Sequence, residues 1–194
     1  MEGRRPYDID SLTDVALRVF AERGYDGASM DDVARAAGIT KASIYHHVAG
    51  KEALLERGLE RALTALAAIL EEPAAQAGTD AQRVRFIVRR VAETACSLLP
   101  ELTVLFRLKA TSPATEQALE RRRAFDRAVA RLIAGGQAAG DLSSRIEPGL
   151  ATRLIFGASN SIVEWYRPGG VLKPAEIAAA LEALLFEGLG GPKS

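Results

Sequence analysis

From Val33 through Lys51 the chain carries no acidic residue, although Asp, Glu, Lys and Arg make up 26% of its 194 residues. That stretch holds Thr40, Lys41, Ala42, Ser43, Tyr45, His46 and His47. These are hydroxyls, an ammonium, a methyl, a phenol and two imidazoles, a set suited to meeting a polyanion. Lys41 has the reach and charge for guanine O6 or N7, and Ala42 is short enough to touch a thymine methyl. Thr40 offers a hydroxyl to a phosphate, and Ser43 is small enough to let the segment sit deep. Metal binding by His46 and His47 is disfavoured, because helix neighbours diverge by about 100°. Cys96 is the single cysteine, so no disulfide framework or Cys-rich metal site is expected; the bland reading of it is a small buried hydrophobe. There is no Gly-rich phosphate loop, nucleophile elbow or His/Cys ligand cluster, so the reading is of a non-enzyme without cofactor or metal.

Such residues need a scaffold that keeps them out of the core. Ser29 with Asp32 three residues on forms a capping box, and Met30, Val33, Ala34 and Ala37 then mark one helical face. Gly38 stops this helix as a left-handed C′ residue. Thr40 caps a second helix carrying Lys41 to His47, of which Ile44, with the flanking Ile39 and Val48, points inward. A helix, a glycine turn and a helix too polar to be buried is the pattern of a helix-turn-helix. A first helix precedes it, from about Ser11 to Arg23 with Asp10 or Ser11 as cap, its Leu12, Val15, Ala16, Val19 and Phe20 on one face. Phe20 and Tyr25 read as core aromatics. Arg4 and Arg5 ahead of this helix form either an arm for phosphate or minor groove, or a solvated terminus.

The segment from Leu12 to about Leu55 resembles the DNA-binding domain of TetR-family transcriptional repressors. Ala16, Phe20, Gly24, Tyr25, Val33-Ala34, Ala37-Gly38-Ile39, Tyr45, Lys51 and Leu54-Leu55 stand at that family's spacing, while Val48 departs from the Phe that many members carry. The resemblance implies that Tyr45, His46 and His47 make phosphate and groove contacts and that Lys51 binds phosphate. With Ser29, Thr40, Lys41, Ala42 and Ser43 they complete the expected DNA-facing set. It also implies a homodimer on a palindromic operator of double-stranded DNA, released by a small-molecule effector. The domains expected are 1–55 for DNA binding and 56–194 for effector binding and dimerisation.

Composition bounds this picture. An apolar fraction of 48% is ample for a core, and no run approaches the roughly 18 apolar residues of a membrane helix. MEGRRPYDID lacks a signal-peptide h-region, so a cytoplasmic protein away from membranes is expected. Net charge is zero and residues 1–60 carry slightly more acid than base. DNA affinity must therefore come from a focused patch. That balance also keeps open a helical small-molecule-binding or interaction protein without DNA binding.

The remainder reads as all-α, with about nine helices in total. A long fourth helix runs from Lys51 to Glu72, and 73–80 reads as a loop. A fifth helix ends at Pro100 and a short sixth before Ser112-Pro113. A seventh spans about Ala114 to Ala139, an eighth runs from Pro148 through Trp165 and Tyr166, and a ninth opens at Pro174 and stops at Gly188. Effector-pocket candidates on their apolar stripes are Leu66, Val91, Cys96, Leu99, Phe106, Phe125, Phe156 and Trp165, each of which also reads as ordinary core. Dimer candidates are Leu154, Ala158, Ile162, Ile177, Leu181, Leu184 and Leu185, with the small residues at 157–161 allowing close helix approach; covering the domain's own core is the other reading. The 120–123 run, Glu-Arg-Arg-Arg, is a solvated face or a contact for an anionic ligand. The segment Glu164 to Gly170 followed by Pro174 is similar to the C-terminal region of actinobacterial TetR-type repressors of lipid and sterol catabolism. That resemblance implies an apolar or acyl-CoA effector, whose phosphates Arg107, Lys109 and the 121–123 arginines would meet.

Overall fold

Two compact units divide the chain. The first joins the residues up to Ala62 with Pro100–Leu119, and the second joins Leu63–Leu99 with the chain from Glu120 onward. The structure, a computed structural model, describes residues 8–189, all helix and connection with no strand among them. Arg4, Arg5 and the tail from Gly190 lie outside the described residues.

In the first unit α1 spans Ile9–Arg23, two residues earlier than the sequence predicts. The cap is Asp8, whose carboxylate accepts from the Ser11 N–H at 2.7 Å, rather than Asp10 or Ser11. Leu12, Ala16, Leu17 and Phe20 of α1 are essentially sealed from solvent. Gly24, at φ 77°, ends the helix, and a turn leads to α2, Met30–Ala37. The predicted capping box is present in both halves, since Asp32 N donates to Ser29 Oγ and Ser29 N to Asp32 Oδ2. Gly38 adopts the left-handed conformation, φ 64° and ψ 35°, and its N–H returns to the carbonyls of Ala34 and Arg35. Helix α3, Lys41–Tyr45, is one short element capped by Thr40; His46 and His47 already belong to the turn that follows. Ile44 is its one fully buried side chain, worth about 1.5–3 kcal/mol of transfer free energy.

Helix α4, Lys51–Glu71, begins in this unit. Its Gly58 faces Leu17, whose methyl groups occupy the space that a Cβ would need, so α1 and α4 approach closely there. Ion pairs from Arg57 to Asp10 and from Arg61 to Asp10 and Asp14 fasten α4 to α1. The unit is completed by α7, Leu99–Arg107, from Pro100 onward, and by the first residues of α8, Pro113–Ala138. Pro100 therefore sits inside the first turn of a helix, where its missing N–H costs nothing, instead of only ending the preceding one.

In the second unit, residues 73–76 form a short helix, α5, and not a loop: Pro73 fixes the φ of a first helical residue and so restarts the chain. Helix α6, Asp80–Ser97, is the spine, with Val84, Ile87, Val88, Ala92 and Ala95 buried. It is covered by α9, Pro148–Asn160, by α10, Ile162–Trp165, and most extensively by α11, Pro174–Phe186. The expected continuous helix through Trp165 is broken at Ser161, where the N–H bonds the Gly157 carbonyl and the hydroxyl bonds that of Ala158. No described helix is long and apolar enough to cross a membrane.

Candidate nucleic-acid interface

The turn between α2 and α3 puts one face of the first unit in contact with solvent through polar atoms. Lys41, Ala42, Tyr45, His46 and His47 are exposed, as are Ser29 and Thr40, while Ser43 is half-buried. Tyr45 leaves half of its surface open, at 50%. Beneath them Ile44, Val48 and the apolar face of α2 supply the floor. The exposed residues keep their positions through local caps. Thr40 Oγ1 accepts from Ser43 N at 3.1 Å and lies 2.8 Å from Ser43 Oγ. Two hydrogen bonds from Ser29, first from its hydroxyl and then from its N–H, hold the Asp32 carboxyl below the usual carboxylate range. The same carboxylate receives Arg23 at 2.8 Å and Arg35 at 3.3 Å, tying the end of α1 to the start of α2.

Lys41, the base-reading candidate, donates to Asp31 at 2.8 Å, a bond that raises its pKa. Both partners are substantially exposed, so the pair is weak and Lys41 can exchange it for another acceptor. Lys51, expected to bind phosphate, has protein partners in this structure. Its ammonium turns inward, donating to the carbonyls of Tyr25 at 2.8 Å and Ala28 at 3.0 Å, with the Tyr25 ring 4.2 Å away. Tyr25 in turn stands edge-on to Phe20, at 5.3 Å between ring centroids. Burial pushes the Tyr25 hydroxyl pKa up. Sequence reasoning could place this lysine at the head of α4 but not fix its direction.

In the second unit the effector candidates separate. Leu66 and Phe125 meet across a cleft of about 260 Å³ between α4 and α8, lined also by Leu63, Leu70, Arg121 and Arg122. Phe156 lies against Phe125, with ring centroids 5.5 Å apart. Arg122 and Asp126 are half-buried one turn apart; burial moves both toward neutrality, lowering the arginine and raising the aspartate. Val91 and Cys96 are buried on α6, where burial also raises the thiol pKa, and Leu99 is half-buried at the start of α7. Phe106 belongs to the first unit and is not part of this cleft. Trp165 is a correction as well. It is 47% exposed and borders a groove of about 300 Å³ with Ala158, Ile162, Ile177, Leu181 and Leu184, all of which belong to the dimer set. The groove's floor is Ile162, Ile177 and Leu181, each buried, and Leu185 is half-buried; Leu154 and Leu184 stand exposed at 56% and 45%. Leu172, Val171 and Leu150 extend the exposed apolar surface and were missed, because they lie in a connection or at a helix start, outside any periodic stripe.

A capped helix, a left-handed glycine and a short exposed helix over an apolar floor define a helix-turn-helix DNA-binding head joined to an all-helical second unit. Two family descriptions match these parts: "Bacterial regulatory proteins, tetR family" over residues 12–57, and "Tetracyclin repressor-like, C-terminal domain" over residues 77–189. The chain belongs to the TetR family of transcriptional repressors. It is similar to SCO3833, a TetR-family member from Streptomyces coelicolor A3, at 46% identity and a TM-score of 0.88 over 97% of this chain and 94% of that one. The HTH-type transcriptional repressor KstR2 of Rhodococcus jostii is 26% identical over 98% of this chain and 93% of its own length. The structure of AibR in complex with isovaleryl coenzyme A and operator DNA shares the fold, at a TM-score of 0.78 and 22% identity over 92% of this chain and 97% of that one.

Proposed function

We propose that this repressor works as a homodimer on a two-fold operator and releases it when an apolar, anionic effector of the acyl-CoA type enters the α4–α8 cleft. The observation that carries the effector reading is the cleft's composition. Leu63, Leu66, Leu70 and Phe125 give it an apolar wall, and Arg121 and Arg122 line the same cleft. An acyl chain needs the first and a phosphate or thioester-linked anion the second. AibR, described with isovaleryl coenzyme A, supports this choice of ligand class. Helix α4 runs from Lys51 in the head to the leucines of the cleft, so an occupant there acts on the element that carries the head.

Dimerisation is supported by the exposed apolar residues Leu154 on α9, Trp165 on α10, Leu184 on α11 and Leu172 in the connection before α11. Two heads reading one DNA face must match half-sites about 34–36 Å apart, so a modest change at each α4 breaks simultaneous docking. In each head Lys41 leaves Asp31 for a base edge. Thr40, Ser43, Tyr45, His46 and His47 surround it, with Ser29 at the adjoining start of α2.

The test selects duplexes from a random pool with the wild-type protein, then adds coenzyme A thioesters of two to sixteen carbons to the complex. Release by a thioester, lost in an Arg121→Ala, Arg122→Ala double variant that still binds DNA, is the expected result. Release by compact organic cations alone, or by no thioester at all, would reject the effector class.

A further inference from the structure

The Lys51 ammonium, at the head of α4, is engaged with the turn that leads into α2. An ammonium has three donor hydrogens. Two of them are given to the Tyr25 and Ala28 carbonyls, and its flank faces the Tyr25 ring. Ala28 immediately precedes Ser29, the residue that caps α2. The backbone of this turn is already drawn together, since Ala28 N donates to the carbonyls of Gly24 at 3.1 Å and Tyr25 at 3.3 Å. What Lys51 adds is a link from outside the turn, from the first residue of α4. Arg57 and Arg61 of α4 reach the N-terminal half of α1 at Asp10 and Asp14, and the first turn of α2 is tied to α1 by Arg23 on Asp32, so Lys51 links α4 to the residue before the α2 cap. The two carbonyls take two of the three donor hydrogens of this half-buried ammonium, which leaves at most one for a phosphate.

We propose that Lys51 is a positioning residue for operator recognition, clamping the α1–α2 turn to α4 so that Ser29 and the first turn of α2 stand where DNA requires them. This rests on DNA binding by the head and is independent of the effector and of the dimer face.

Salt dependence separates positioning from direct contact, because each phosphate neutralised contributes about 0.9 to the slope of log K against log salt concentration. The experiment measures that slope by fluorescence anisotropy on the selected duplex for wild type, Lys51→Met, Tyr25→Leu and the double variant. All are measured at a temperature where circular dichroism shows each to be folded. Lys51→Met is expected to weaken binding about tenfold, the scale of one lost charge-assisted site, with an unchanged slope. Tyr25→Leu, which lacks the ring but no cation, is expected to reproduce much of that loss, and the double variant to fall well short of the product of the two. Hydrogen exchange should quicken at the amides of residues 28–33 in both single variants. A slope reduced by about 0.9 per head in Lys51→Met would make it a phosphate ligand and overturn the proposal. So would affinity unchanged by Lys51→Met, or losses that multiply in the double variant. If Lys51→Met does not fold, Tyr25→Leu alone decides, by whether it weakens binding at constant slope. A wild-type protein that selects no duplex would remove both this inference and the reading of the head.

Discussion

The two units hold themselves together by different means. In the first, polar links between residues distant in sequence are prominent: Arg61 and Arg57 to α1, Lys51 to the α1–α2 turn, and Arg107 to the Ala21 carbonyl at 2.9 Å. In the second, α11 lies on α6 through buried Ile177, Ala178 and Leu181, with Arg85 of α6 adding a long-range link to Glu182 and the Phe186 ring, and apolar surface is left over at Leu154, Trp165, Leu172 and Leu184. A surface that must meet phosphates can be built from exposed polar atoms, provided the backbone beneath is fixed. The exposed apolar face of the second unit, by contrast, is the kind of surface that the proposed dimer would cover.

The largest effect should come from the apolar face. Leu154→Arg with Leu184→Arg is expected to yield monomers by sedimentation velocity and to weaken operator binding at least a hundredfold, since the second half-site is then no longer held by linkage to the first. An undiminished dimer would transfer the interface elsewhere. Next, Ile44→Ala removes the only buried anchor of α3 and should destabilise the fold by about 2–5 kcal/mol in urea titrations. A loss below 1 kcal/mol would mean that α3 is held by its caps alone. Ser29→Ala should cost about 1 kcal/mol through the lost cap, as read by the same titration.

The smallest effects concern charge. Asp31→Asn frees Lys41 and removes an anion beside the reading face, so nonspecific DNA affinity should rise severalfold at low salt and converge with wild type as salt screens the difference. The Asp32 carboxyl is held below its ordinary value by Ser29. Its contribution is therefore present above the unfolded value near pH 4 and fades as pH falls through the lower folded one. Asp32→Asn should flatten the melting temperature between pH 5 and 2 at that site, measured by calorimetry.

Much of the head was legible because its signals are local. A capping box needs residues three apart, a left-handed stop needs a glycine, and an acid-free run is visible without any fold. Ser29, Asp32, Gly38 and Ile44 stand as the sequence predicts for these reasons. What was not legible depends on direction or on where the chain turns. The reach of Lys51 to two carbonyls 26 and 23 residues earlier has no local mark. Trp165 reads as part of the same stripe as Ile162 and Tyr166, which are buried, yet it stands 47% exposed at the rim of the groove, a difference of one position that the periodicity does not resolve. Phe106 shared a stripe pattern with the pocket candidates and yet belongs to the other unit. Pro73 and Pro100 were read as stops, whereas each lies in the first turn of a helix.

Trp165 is the single tryptophan of the chain. Its emission therefore samples one place, the rim of the α9–α11 groove. An indole moved from water to an apolar contact fluoresces at shorter wavelength, so association of two copies should be visible without any label as a blue shift on raising protein concentration. The α4–α8 cleft contains no second indole to confuse that reading, and the molecule thus carries its own optical gauge of assembly.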